Sequence, residues 1–126
     1  LKKLIYILLI IFLFNIQTPP TKDQVLEFLI KDKTDLANDS IGCEQFAKNL
    51  IVSGKKDGLY FYRETINFQN GTRHMINVID TIDGKLYIEP QNDEIYIAPK
   101  VDEFLCTENF CMILDDYIIT QIFYYY

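Results

Sequence analysis

Two dipeptides, Asn70-Gly71 and Asp83-Gly84, stand thirteen residues apart in a β-rich stretch and restrict the middle of this chain to an antiparallel meander. Both are hairpin signals, because the central positions of a type I′ turn need positive φ, which Asn, Asp and Gly tolerate. The segments they join run from Leu59 to Phe68, from about Thr72 to Ile82 and from Lys85 to Glu89, and Asp93 to Ala98 reads as a further strand. Strand alternation puts His74, Ile76, Val78 and Asp80 on one face. A two-residue turn at Asp83-Gly84 pairs Ile82 with Lys85 and hence Val78 with Glu89, so Glu89 shares that face. In this register Glu89 lies ~13 Å along the strand from His74, beyond hydrogen-bond reach. Contact requires a longer turn or a bulge.

Two helices precede the meander. Pro19-Pro20 breaks any earlier helix, and Thr21 with Gln24 forms a capping box. The helix it opens is expected to run to about Leu36 on the stripe Val25, Leu26, Phe28, Leu29 and Leu36. The polar break from Ala37 to Ser40 supplies Asp39 or Ser40 as the next N-cap, for a helix from about Ile41 to Ser53 ended by Gly54. Its apolar stripe is Cys43, Phe46, Ala47, Leu50 and Ile51. Cys43 on that stripe can be read as an inert buried thiol. In a first turn, however, unpaired N–H groups and the positive dipole end lower the pKa of a thiol that meets a cleft.

Charge and composition exclude other classes. With 18 acidic and 12 basic residues the net charge is −6, which argues against binding a phosphate backbone. One histidine and scattered cysteines do not make a zinc spacing, and no cofactor is expected. At the start, Lys2-Lys3 precedes the unbroken apolar run Leu4 to Phe14. Residues 1–20 therefore read as a signal peptide or membrane anchor, and 21–126 as the domain. The run falls short of the ~20 residues a spanning helix needs. The expectation is a secreted or membrane-anchored protein whose domain lies outside the cytoplasm, with membrane association possible through residues 4–16. In such a compartment Cys106 and Cys111 either close a small disulfide loop, leaving Cys43 as the odd thiol, or remain reduced structural cysteines. The C-terminal stretch from Met112 to Tyr126 reads as one or two strands, core or edge.

A thiol on a helix start, followed by an imidazole and a carboxylate on successive strands, is the arrangement cysteine acyl-transfer chemistry needs. From Asp39 to Pro90 the chain resembles the transglutaminase-like family of papain-type thiol enzymes. The likeness rests on Gly42-Cys43-x-x-Phe46-Ala47-x-x-Leu50 followed by Gly54, on His74 with its alternating apolar run, and on Asp83-Gly84-Lys85, Tyr87 and Glu89-Pro90. The His74 to Glu89 spacing of fifteen also matches the family. The resemblance implies an α+β fold with a papain-like core, two N-terminal helices on an antiparallel sheet of four to five strands. It implies Cys43 as nucleophile, His74 as base and later acid, and Glu89 as the acceptor that holds the imidazole. The substrate would be a peptide, protein or cell-envelope amide, cleaved or transferred through a thioester. The chain departs from the family at Glu89, where Asp is usual, and at Glu44, where an aromatic commonly follows the cysteine. The longer carboxylate alters the reach to His74, and an anion beside the thiol opposes thiolate formation. The main-chain N–H of Cys43 is a natural oxyanion donor, with Asn38 and Gln45 as candidates for a second. A binding or structural domain that keeps the fold without catalysis is the alternative, which Glu44 and Glu89 permit.

Overall fold

The computed structural model describes residues 1–13, 18–36, 41–113 and 117–125, with the backbone alone for 8–13. Its elements are α1 (Lys2–Leu13), α2 (Lys22–Lys31), a 3-10 turn (Thr34–Leu36), α3 (Cys43–Lys56), β1 (Tyr62–Phe68), β2 (Arg73–Thr81), β3 (Gly84–Ile88), β4 (Ile95–Tyr96) and β5 (Ile119–Tyr125). The five strands form one antiparallel sheet in the order β4-β3-β2-β1-β5, an α+β architecture. The C-terminal strand thus returns across the molecule to pair with the first. No helix among the described residues is long and apolar enough to cross a membrane.

The helices differ from expectation at their ends. Thr21 and Gln24 make the full capping box. The α-helix they open stops at Lys31, because the Asp32 carboxylate bonds the Thr34 N–H and hydroxyl and the Ser53 hydroxyl, turning the chain into a 3-10 turn. Leu36 is consequently 74% exposed and is no part of the core stripe. The N-cap of α3 is Gly42, with extended backbone and no side-chain cap, whereas Asp39, Ser40 and the candidate donor Asn38 lie outside the described residues. Gly54 does not end the helix. It lies inside the last turn, where a β-carbon would stand 2.4 Å from the Phe61 ring and 3.0 Å from the Leu59 carbonyl oxygen. Close packing of helix on strand therefore sets that glycine. The stop comes at Gly58, with φ +74, whose N–H bonds Lys55 O while Leu59 N–H bonds Gly54 O, the paired bonds of a Schellman ending.

Each sheet face carries an apolar cluster, while most of β5 stays exposed. On one, Val25 and Leu29 of α2 and Leu50 of α3 pack with Leu59, Phe61, Ile79, Leu86 and Ile88. Asn77 also faces this side, its amide donating to Ala47 O of α3. On the other face Ile66, Phe68 and Ile76 pack with Ile119 and with Leu105 of the C-terminal segment. That segment is closed by a Cys106–Cys111 disulfide.

One buried group sits uneasily there. Glu64, fully buried in β1, lies opposite Ile76 on one side and Tyr124 on the other. Neither of its oxygens has a hydrogen bond of normal geometry among the described residues. Burial pushes its pKa up to about 7, against smaller opposing pulls from Lys85 and Tyr124. A carboxyl raised on folding holds its proton in the native state and gives it up in the unfolded chain, so stability is full below the ordinary carboxyl pKa and falls as pH rises toward 7. Glu64→Gln removes this dependence. Urea midpoints should show the variant gaining roughly 2–3 kcal/mol over the native chain at pH 8, with little difference at pH 4.

Candidate active site

Cys43 is the first residue of α3, half-buried and the only free cysteine. Gly42 O is taken by the Gln45 and Phe46 N–H groups, so the N–H groups of Cys43 and Glu44 are those a first turn leaves over. A hydrogen bond from His74 lowers the thiol pKa most, burial opposes it, and the Met75 and Glu44 backbone N–H groups lower it further. The Met75 donor follows from the sheet. β3 pairs with β2 only between Asn77 and Thr81, so the first residues of β2 have β1 on one side and no strand on the other. The main-chain donor thus released serves the sulfur.

His74 and Glu89 meet directly, Nε2 to Oε2 at 2.5 Å. The sequence register failed to bring them together because it assigned the wrong turn. In β2–β3 the loop is Ile82-Asp83, and Thr81 pairs with Gly84, φ +109. In β1–β2 Gly71, φ +85, closes onto Phe68 O. Of the turn residues only these glycines have positive φ, so neither turn is type I′. Val78 therefore faces Tyr87 rather than Glu89, and extending the ladder past Asn77–Ile88 puts Glu89 beside Ile76. From there His74 is a diagonal neighbour ~7–8 Å away at Cα, a gap that suits the longer arm of a glutamate.

Glu89 is the residue just past β3, and it is strongly held. The Tyr96 hydroxyl donates to Oε2 at 2.7 Å and the Gln91 N–H to Oε1 at 3.2 Å. Its main-chain N–H bonds Glu94 O, and its carbonyl accepts from Asp93 N–H, fixing the β3–β4 connection. Burial would raise the Glu89 pKa, but His74, Tyr96 and Gln91 together lower it. For His74, burial disfavours the charged ring, and the bonds and charges of Cys43 and Glu89 outweigh it, raising the pKa to about 9. With Nε2 on the carboxylate, Nδ1 is the nitrogen left for the sulfur. The three groups therefore form a relay in which thiolate, imidazolium and carboxylate stabilise one another.

The remaining candidates fare differently. The charge of Glu44 beside the thiol is offset by cations, Oε1 lying 2.9 Å from Lys48 and 3.7 Å from Arg63. The Gln45 amide donates to Asn49 along the exposed side of α3 and supplies no oxyanion donor in this arrangement. Two contributors escaped the sequence reading. Tyr96 carries no signal beyond a short strand pattern, and the Met75 N–H is a main-chain group visible only once the ladder is known. No group of three or more potential metal ligands occurs among the described residues. Compared with known protein families, with curated proteins and with solved structures, the chain has no match.

Proposed function

We propose that this protein is a thiol hydrolase or acyltransferase of the transglutaminase-like, papain-type kind, with Cys43 as nucleophile, His74 as base and then acid, and Glu89 as the acceptor that orients the ring. One observation carries the reading: a half-buried thiol, whose pKa is lowered chiefly by an imidazole, and that imidazole's Nε2 lying 2.5 Å from a buried carboxylate. The Cys43 thiolate attacks the carbonyl carbon of an amide or ester. The developing oxyanion is met by the Cys43 N–H, which as the first residue of α3 has no intrahelical acceptor. The His74 imidazolium gives its proton to the departing amine or alcohol, leaving a thioester. Water or a second amine, deprotonated by His74, then resolves it. A papain-like core, export past the membrane and a peptide or cell-envelope amide substrate belong to the same proposal, and the Cys106–Cys111 disulfide suits an oxidising compartment.

The thioester is the testable intermediate. With p-nitrophenyl acetate as acyl donor, a stoichiometric burst of p-nitrophenolate is expected, and peptide mass spectrometry should find the acetyl group on Cys43. Acetylation confined to lysines, with no burst, would instead mark a binding domain that keeps the site without the reaction.

A further inference from the structure

The sheet beside Cys43 narrows the choice of acyl donor. Arg73, Asn67 and Gln121 stand directly opposite one another on β2, β1 and β5, so they form one row on one face. Arg73 shares its parity with Asn77, whose amide bonds Ala47 O, so this is the face that carries α3. The row is close enough to the first turn of α3 for Arg73 to lower the Glu44 pKa, after Lys48 and Arg63. Arg73 is also two residues from Met75 on the same face and chain neighbour to His74, whose side chain takes the opposite face, and both of these lower the Cys43 pKa.

The cations here are not equivalent. Lys48 and Arg63 are taken by Glu44 Oε1. Arg73 is exposed and has no ion pair within 4 Å among the described residues. It lines a hollow of about 570 Å³ together with Asn67, Thr72, Thr120 and Gln121. The Thr72 and Thr120 hydroxyls there donate to Asn70 Oδ1 and Asn67 O, and the Asn67 amide donates to Gln121 Oε1, which leaves the guanidinium and the Gln121 amide to match the planar acceptor pattern of a carboxylate. In a chain of net charge −6, a local cation is what admits an anion to this spot.

Building on the thiol-enzyme reading, we propose that the Arg73–Asn67–Gln121 row is a substrate subsite, and that the acyl donor carries a free carboxylate near the bond that Cys43 attacks. Arg73 pairs with that carboxylate, and the Gln121 amide, held by the bond that Asn67 Nδ2 donates to its Oε1, fixes its plane.

Two alkylating probes that differ only in charge test this. Iodoacetamide is neutral and iodoacetate carries the carboxylate; with either, the thiolate forms a C–S bond and iodide leaves. At pH 7 and low salt, the iodoacetate-to-iodoacetamide rate ratio at Cys43 should exceed that of glutathione by about tenfold. Arg73→Gln should lower the ratio severalfold, the attraction of the His74 imidazolium for iodoacetate remaining, and added sodium chloride should lower the ratio of the native chain more than that of the variant. A native ratio no higher than that of glutathione, or one unchanged by Arg73→Gln, overturns the subsite. The ratio can be read however fast Cys43 reacts. A slow iodoacetamide rate that follows an ordinary thiol counts against the enzyme reading alone.

Discussion

In the His74→Ala variant, iodoacetamide alkylation of Cys43 at pH 6 should fall about tenfold or more, and its pH profile should become that of an ordinary thiol. The hydrogen bond from His74 is the largest influence lowering the Cys43 pKa, and burial is the largest opposing it. Removing the ring leaves the opposing influence in place. A thiol near pKa 8.5 is ionised to only ~0.3% at pH 6, although an unpaired thiolate is intrinsically more nucleophilic, which returns part of the loss. The shape is the sharper readout. In the variant the rate climbs about tenfold per pH unit up to 8. In the native chain the lowered Cys43 pKa moves that climb to lower pH than in the variant, with a second rise near pH 9 as His74 loses its proton. Labelling is unambiguous, because Cys43 is the one free thiol among three cysteines. Equal rates in the two proteins would mean that the imidazole does not activate the sulfur.

How far the sequence reached is best judged from these same residues. Cys43, His74 and Glu89 could be picked out because each stood at a legible position: a helix start, a strand parity, a strand end. Parity survives a shift of register by two, so the shared face of His74 and Glu89 held although the pairing was wrong. Their contact was not legible, because Asn-Gly and Asp-Gly serve both two-residue turns and turns that use only the glycine at positive φ, and this choice moves Glu89 along β2. The helix stripe likewise gave Val25, Leu29, Phe46, Ala47 and Leu50 to the core correctly. The helix ends were misjudged at Leu36 and Gly54, whose fates depend on the bond between Asp32 and Ser53 and on the Phe61 ring, contacts made only when helix packs on helix and strand. Glu64 was readable in principle: a carboxylate at the parity of Ile66 and Phe68 is a charge aimed into a core. Tyr96 was not, since a tyrosine hydroxyl on a two-residue strand advertises nothing until its acceptor is in view.

The second large effect falls on stability. Glu89→Ala should lower the unfolding free energy by about 3 kcal/mol near pH 5.5, because it strips a buried acceptor from three donors, His74 Nε2, the Tyr96 hydroxyl and the Gln91 N–H. The pH window follows from the two partners. Glu89 is lowered on folding, so its stabilisation is present above the ordinary value of 4.5 and is lost as pH falls through the lower native pKa. His74 is raised to about 9, so its stabilisation is complete below 6.5 and is lost as pH rises toward 9. The native-minus-variant gap is therefore widest between pH 4.5 and 6.5 and narrows on both sides, less completely at high pH because Cys43 still supports the imidazolium. Urea midpoints across pH 3 to 10 measure it. Glu89→Gln retains one acceptor oxygen and should lose about half as much. The chain has a single histidine, so its imidazole resonances report the pair directly, and the His74 pKa should drop in both variants. An unshifted titration together with an unchanged midpoint would show that the carboxylate neither holds the ring nor anchors the β3–β4 connection, and the relay would reduce to a thiol beside a histidine.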